Sequence, residues 1–278
     1  MRGVTAAPRT LRPDDLPLDR VLSAKGGRTV SVCVPARDEE VTVGRVVATV
    51  AAAHLAGAGG SGLVDELVVV DDGSSDATAA VAAAAGAEVL VTPGGGKGAA
   101  MRAALERSAG DVVVFLDADV ENTTGTFVLG LAGPLLLDDD LALVKGYYDR
   151  PIDGRPSGGG RVTELMARPL LEVLFPHLAA VRQPLAGETA APRWVLEKVG
   201  LADGYGVELA LLIDVAARFG TGAIAQVDLG TRIHRNRPLE ELRGQATEVL
   251  RAALARAPTG EAGRPAAGRP DTRGRDTR

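Results

Sequence analysis

Between residues 28 and 119 the chain repeats one pattern: a short apolar run, a polar break, then a stretch with apolar residues at helical spacing. "RTVSVCVPARDEE" is rich in β-branched residues and stops at Pro35, where charge begins. It predicts a buried strand opening into a polar loop. "EEVTVGRVVATVAAAHLAGA" has helical spacing and is closed by "GAGGSG". "LVDELVVVDDGSSDAT" predicts a second strand and a turn, with Asp76 as the N-cap of the alanine-rich helix "ATAAVAAAAG". "AEVLVT" follows as a third strand, "KGAAMRAALERSAG" as a helix and "DVVVFLDAD" as a fourth strand.

Strands that read as continuous apolar runs and alternate with helices predict an α/β fold whose mainly parallel sheet is covered on both faces. Ligands bind such sheets beyond the carboxyl ends of the strands. Residues 35–39, 71–76 and 117–119 all fall at such ends. The second half is less regular. "LALVKGYYDRP" and "AIAQVDLGTRIH" read as strands, the stretches around 161–175 and 205–219 as helices, and "VRQPLAGETAAP" as irregular chain. "PLEELRGQATEVLRAALAR" is an amphipathic helix with Pro in its first turn. The chain divides into an N-terminal extension (1–28), a ligand-binding half (29–145), a second half of the same domain (146–256) and a Pro-, Gly- and Arg-rich tail (257–278) that predicts disorder.

Composition adds a few limits. Apolar residues make up 46% of the 278 and aromatics only 3%, so the core must rest on Ala, Val and Leu. The net charge of −5 argues against a general nucleic-acid binder. No apolar run is long enough to span a bilayer, and the N-terminus has no apolar segment of the kind a secretory leader needs, which points to the cytoplasm. The lone Cys33, inside an apolar strand, reads as a buried structural thiol. His54 and His177 match no functional pattern and read as structural.

The chemistry lies where the strands end. Asp117 and Asp119 repel one another unless a cation joins them; the plain alternative is a strand ending in a polar turn. Lys97, between two glycines at a helix start, suits a phosphate or a base ring, because the backbone can approach there and a helix N-terminus favours anions. "GGGRVT" offers backbone N–H groups, the Arg161 guanidinium and the Thr163 hydroxyl, a set that suits a small anion. Glu208 stands in a helix first turn, where it complements the dipole or faces a ligand.

The set "VPARDEE", "VVVDDGSSDAT", "GGGKGAA" and "FLDAD" resembles the nucleotide-sugar half of GT-A-type glycosyltransferases. "GGGRVTELMARPLLEVLFP", "QPLAGETA", "GYGVELALLIDVAARFG" and "QVDLGTRIHRNRPL" narrow the likeness, over roughly residues 29–250, to glucosyl-3-phosphoglycerate synthases. The resemblance implies a retaining transfer of glucose from UDP-glucose to the 2-hydroxyl of 3-phosphoglycerate. It implies Mg2+ or Mn2+ held by Asp119 and His234, with Asp117 in support. Pro35, Ala36, Arg37, Glu39, Asp72, Ser74, Asp76, Lys97, Asp117 and Ala118 would contact the nucleotide sugar, and Gly160, Arg161, Thr163 and Asn236 the acceptor. Glu208 and Asp119 would serve catalysis. A homodimer at the start of methylglucose lipopolysaccharide synthesis in actinobacteria is the implied setting. Thr189 stands where the family commonly has Tyr, which keeps GDP-mannose open as donor. An inverting polyprenyl-phosphate or polysaccharide glycosyltransferase shares the acidic motifs, and a sugar-nucleotide-binding module without turnover is the non-catalytic alternative.

Overall fold

In a computed structural model the described residues are 7–56, 59–149, 160–232 and 239–258. The elements run, in chain order, β1 (Arg9–Leu11), α1 (Leu18–Lys25), β2 (Val30–Ala36), α2 (Val43–His54), β3 (Glu66–Asp71), α3 (Thr78–Ala84), β4 (Glu88–Val91), α4 (Lys97–Arg107) and β5 (Val112–Phe115). They continue with α5 (Gly125–Leu137), β6 (Leu143–Asp149), α6 (Arg168–Leu174), β7 (Thr189–Pro192), α7 (Arg193–Val199), α8 (Val207–Phe219), β8 (Ile224–Thr231) and α9 (Leu239–Leu254).

The strands form one sheet in the order β1-β8-β6-β7-β5-β2-β3-β4, parallel except for β7, which runs antiparallel to both β5 and β6. The apolar runs of β2, β3 and β5 are buried on both faces, as the interior of a parallel sheet requires, whereas the edge strand β4 is half-exposed. Alternate residues of β2 show it: Val32 and Val34 pack with α2 and α5, whereas Cys33 packs with Ala104 of α4 on the other face, together with α6, α7, α8 and α9. Burial pushes the Cys33 thiol up to about 12, and a sulfur so protonated is an inert core atom.

Several features depart from the sequence pattern. The segment read as an extension contributes β1, paired in parallel with β8, and α1, packed on α5. The reading assigned nothing to α5, because nearly all of it is buried and it shows no polar face to create a 3.6-residue period. The strand β7 lies within the chain read as irregular; it is four residues long and ends in Pro192. The cap of α3 falls on Ala77, yet Asp76 Oδ1 still accepts the Thr78 N–H at 3.0 Å. No helix among the described residues is long and apolar enough to cross a membrane.

Candidate active site

Parallel neighbours β2 and β3 end side by side, with Ala36 opposite Asp71, so their loops leave the sheet together. Polar residues lock the two loops to each other. The Asp38 N–H donates to Ser74 Oγ (2.9 Å), the Glu39 N–H to Thr78 Oγ1 (2.8 Å) and the Glu40 N–H to Asp76 Oδ2 (3.1 Å). In return Asp38 Oδ1 accepts the Ser75 N–H at 2.8 Å, and Glu40 Oε2 accepts the Ala77 N–H at 2.9 Å. Asp38 adopts φ 54°, a left-handed conformation that Asp tolerates better than most residues. Asp72 is buried and accepts from Thr92 Oγ1 (3.1 Å) and from the Gly95 and Gly96 N–H groups (2.9 and 2.8 Å). Thus Asp72, Ser74 and Asp76 spend the polar atoms just named on building this wall. Pro35, Ala36, Arg37 and Glu39 lie along its rim, with Arg37 exposed.

A further loop, between β4 and α4, reaches the end of β5. The loop that Asp72 pins leads into α4, whose first residue is Lys97. Its ammonium lies 2.6 Å from Asp117 Oδ1 and 2.5 Å from Glu208 Oε1, in the first turn of α8. Gly98 lets α4 sit this close to the chain before α8: a Cβ there would stand 1.9 Å from the Ala202 carbonyl oxygen. From β8 comes Arg232, buried, with Nη2 3.0 Å from Asp117 Oδ2 and 2.6 Å from Asp119 Oδ1. Its Nη1 donates to Glu188 Oε1 (2.9 Å) and to the Tyr148 hydroxyl (2.6 Å). Asp117, Asp119, Glu188 and Glu208 therefore face two cations, Lys97 and Arg232, with Lys145 beneath. Ala118 is buried between the two aspartates.

Charge decides the protonation states. Burial alone would raise the Asp117 carboxyl, but Lys97 and Arg232 overcome it and hold it far below the usual range. Burial works against the charge on both cations, and their carboxylate neighbours outweigh it, so Lys97 and Arg232 are held charged. Burial pushes the Glu188 carboxyl up, with the Arg232 guanidinium opposing. Lys145 is brought down to about 8 by burial; Glu208 pulls it back up and Lys97 adds to the fall.

Among the described residues no three His, Cys, Asp or Glu side chains are arranged to hold a metal ion. The donor chemistry nevertheless fits a hard divalent cation. Four carboxylates exceed the three cations around them, and Asp119 gives Oδ1 to Arg232 while its side chain keeps 23% exposure. The expected second ligand, His234, and the acceptor residue Asn236 lie outside the described residues. Gly160, Arg161 and Thr163 open the helical segment before α6, with Thr163 buried and Arg161 exposed beside a cavity of about 320 Å³. The other two histidines lie apart from this cluster, His54 buried and His177 exposed. His54 bonds Ser61 Oγ and the Gly125 carbonyl, tying α2 to α5, and His177 packs edge-on against Phe175.

Sequence reasoning missed Arg232, Lys145 and Tyr148. The signal for Lys145 was present: a lysine inside the buried run "LALVKGYY" needs a partner. Thr189, at the position where the family commonly has Tyr, is 1% exposed, and its hydroxyl bonds Lys145.

A sheet of this topology with carboxylates gathered at its strand ends defines a nucleotide-sugar-dependent glycosyltransferase of the GT-A class, and the glycosyl transferase family 2 profile matches residues 31–168. The chain is 46% identical over 249 residues to glucosyl-3-phosphoglycerate synthase of Mycolicibacterium paratuberculosis, covering 84% of this chain and 74% of that protein. It superposes on the Mycobacterium tuberculosis enzyme in complex with Mn2+, uridine-diphosphate-glucose and phosphoglyceric acid, with a TM-score of 0.80, 44% identity and coverage of 90% and 88%. The same enzyme with Mg2+ and uridine-diphosphate gives 0.82, 43%, 92% and 89%. This chain belongs to the glucosyl-3-phosphoglycerate synthase family.

Proposed function

We propose that this protein transfers glucose from UDP-glucose to the 2-hydroxyl of 3-phosphoglycerate with retention of anomeric configuration, giving glucosyl-3-phosphoglycerate. The observation that carries the reading is the ion cluster at the strand ends, where Lys97 joins Asp117 to Glu208 and Arg232 joins Asp117 to Asp119. A departing nucleotide diphosphate needs positive charge fixed in advance where its negative charge grows.

In this reading Asp119 and His234 hold Mg2+ or Mn2+, and the ion neutralises pyrophosphate charge as the sugar leaves. Lys97 and Arg232, already charged and already positioned, face the same phosphates. The wall of residues 35–40 and 71–78 receives the uridine. Gly160, Arg161, Thr163 and Asn236 receive the two charged ends of the acceptor, with Arg161 supplying bidentate geometry. Glu208, ion-paired with Lys97, orients the reacting hydroxyl.

Retention arises either through a glycosyl-enzyme or by attack on the face the nucleotide leaves. The buried carboxylates are ill-suited to the first route: Glu208 is ion-paired at 2.5 Å and Glu188 at 2.9 Å, so neither is a free nucleophile. Same-face attack, with the leaving phosphate taking the acceptor proton, fits this pairing. We propose as its working setting a homodimer in the actinobacterial cytoplasm, at the entry to methylglucose lipopolysaccharide synthesis; the mycobacterial source of several relatives supports the actinobacterial part of this reading.

The test offers purified protein 3-phosphoglycerate with UDP-glucose and with GDP-mannose, each with and without Mg2+, and reads the product's anomeric configuration by NMR. Metal-dependent α-glucosyl product from UDP-glucose is expected. No turnover, an inverted product or a sugar-protein adduct by mass spectrometry would overturn the reading.

A further inference from the structure

Beneath the ion cluster sits a charged side chain that the reaction above does not use. Lys145 lies in the centre of the sheet on β6, 1% exposed, opposite Thr189 of β7 in the antiparallel ladder. Opposed residues of such a pair project to the same face, here the face that carries α4 and α8. Its ammonium donates to the Ala186 carbonyl at 2.5 Å and to Thr189 Oγ1 at 2.9 Å. The Thr189 hydroxyl in turn donates to the Ala186 carbonyl at 3.1 Å. The three groups close a triangle that fixes both ends of the turn Ala186-Gly187-Glu188-Thr189.

That turn touches the site at two points. Gly187 lies so close to Asp117 that a Cβ would stand 1.9 Å from Oδ1. Glu188 binds Arg232 by its side chain, and its carbonyl accepts the Gly146 N–H at 2.8 Å. The height of this turn above the sheet therefore sets where Asp117 and Arg232 can stand. A lysine is a costly way to fill a core position unless its donors are needed, and a methionine of similar length would pack there without that cost. Charged groups face Lys145 from four elements: Lys97 of α4, Asp117 after β5, Glu188 before β7 and Glu208 of α8.

We propose that Lys145, acting through Thr189, is a positioning residue of the glucosyl transfer: the pair holds the Ala186–Thr189 turn at the height that keeps Asp117 and Arg232 in register with the leaving diphosphate. The proposal rests on the reaction assigned above, and turnover by the wild-type chain, assayed alongside, tests that assignment separately. It also accounts for the hydroxyl at position 189, which is buried under the site and bonded to Lys145.

The test compares K145M, T189V, T189S and the double variant K145M/T189V by steady-state kinetics, with thermal melting to establish folding. Removing the donor or the hydroxyl should lower kcat by about tenfold or more, with the KM for 3-phosphoglycerate within about threefold of wild type. T189S, which keeps the hydroxyl, should restore kcat. The double variant should be no slower than K145M alone within about a factor of two, since both changes break one triangle. Wild-type kcat in K145M or in T189V would overturn the proposal. So would multiplicative losses in the double variant, or T189S as slow as T189V. If K145M fails to fold, the T189V and T189S pair decides the question.

Discussion

Replacing Gly187 with alanine adds one methyl group beside the most heavily paired carboxylate in the site. Gly187 is not among the glycines with positive φ, so alanine meets no backbone strain there and the effect is steric alone. The new Cβ would lie 1.9 Å from Asp117 Oδ1, 2.4 Å from its Cγ and 2.6 Å from Oδ2. Ordinary contact begins at 3.4 Å, so the carboxylate or the turn must retreat by about 1.5 Å. The turn is pinned by Lys145, Thr189 and Gly146, so the carboxylate yields and loses at least one bond, to Lys97 (2.6 Å) or to Arg232 (3.0 Å). A hydrogen bond between charged groups contributes about 1.5–3 kcal/mol, and a misplacement of about 1 Å costs on the order of 100-fold in rate. The two estimates agree, since 3 kcal/mol is about 100-fold. G187A should thus lose about 100-fold in kcat/KM for UDP-glucose at saturating acceptor, read by initial rates beside a melting curve. A folded variant within threefold of wild type would refute the reasoning. So would a crystal structure in which the rate is lost while both Asp117 bonds keep their lengths.

Further outcomes follow from the same cluster. Asp119→Ala and His234→Ala should each abolish turnover and the rise in melting temperature caused by Mn2+, with the metal-free melting temperature close to wild type, because Arg232 keeps Asp117 and Glu188 as partners. Retained metal stabilisation in either variant would remove that residue from the ligand set. The folded Lys145 titrates near 8 against an ordinary 10.5, so between those values the unfolded chain binds more protons and stability rises with pH. The rise amounts to about 3 kcal/mol at most. Urea unfolding at pH 7.5 and pH 10 should show a steeper gain in the wild type than in K145M; equal gains would mean that burial does not lower the Lys145 titration.

The strands β2, β3 and β5 were legible because each is an apolar run rich in valine, and the polar residues at their ends pointed to the site. Asp117, Asp119, Lys97 and Glu208 do meet, although they come from distant parts of the sequence. Arg232 escaped notice because a single arginine at a strand end looks like surface until the sheet brings β8 within reach of β5. The strand β7 escaped for a different reason: four residues with two alanines and a proline carry no pattern of their own, and only their neighbours on either side make them a strand. The helix α5 was hidden by being too apolar. Asp72, Ser74 and Asp76 were correctly placed at the strand ends, but the sequence could not reveal that loop-to-loop hydrogen bonds would occupy their polar atoms.

The reversed strand has a mechanical consequence. Because β7 is stitched between β5 and β6, the portion proposed to receive the nucleotide and the portion proposed to receive the acceptor share an uninterrupted ladder. They cannot swing open like jaws around a hinge without tearing the middle of the sheet. With the floor of the site fixed in this way, natural variants with altered sugar or acceptor preference should carry their changes in the loops along its rim.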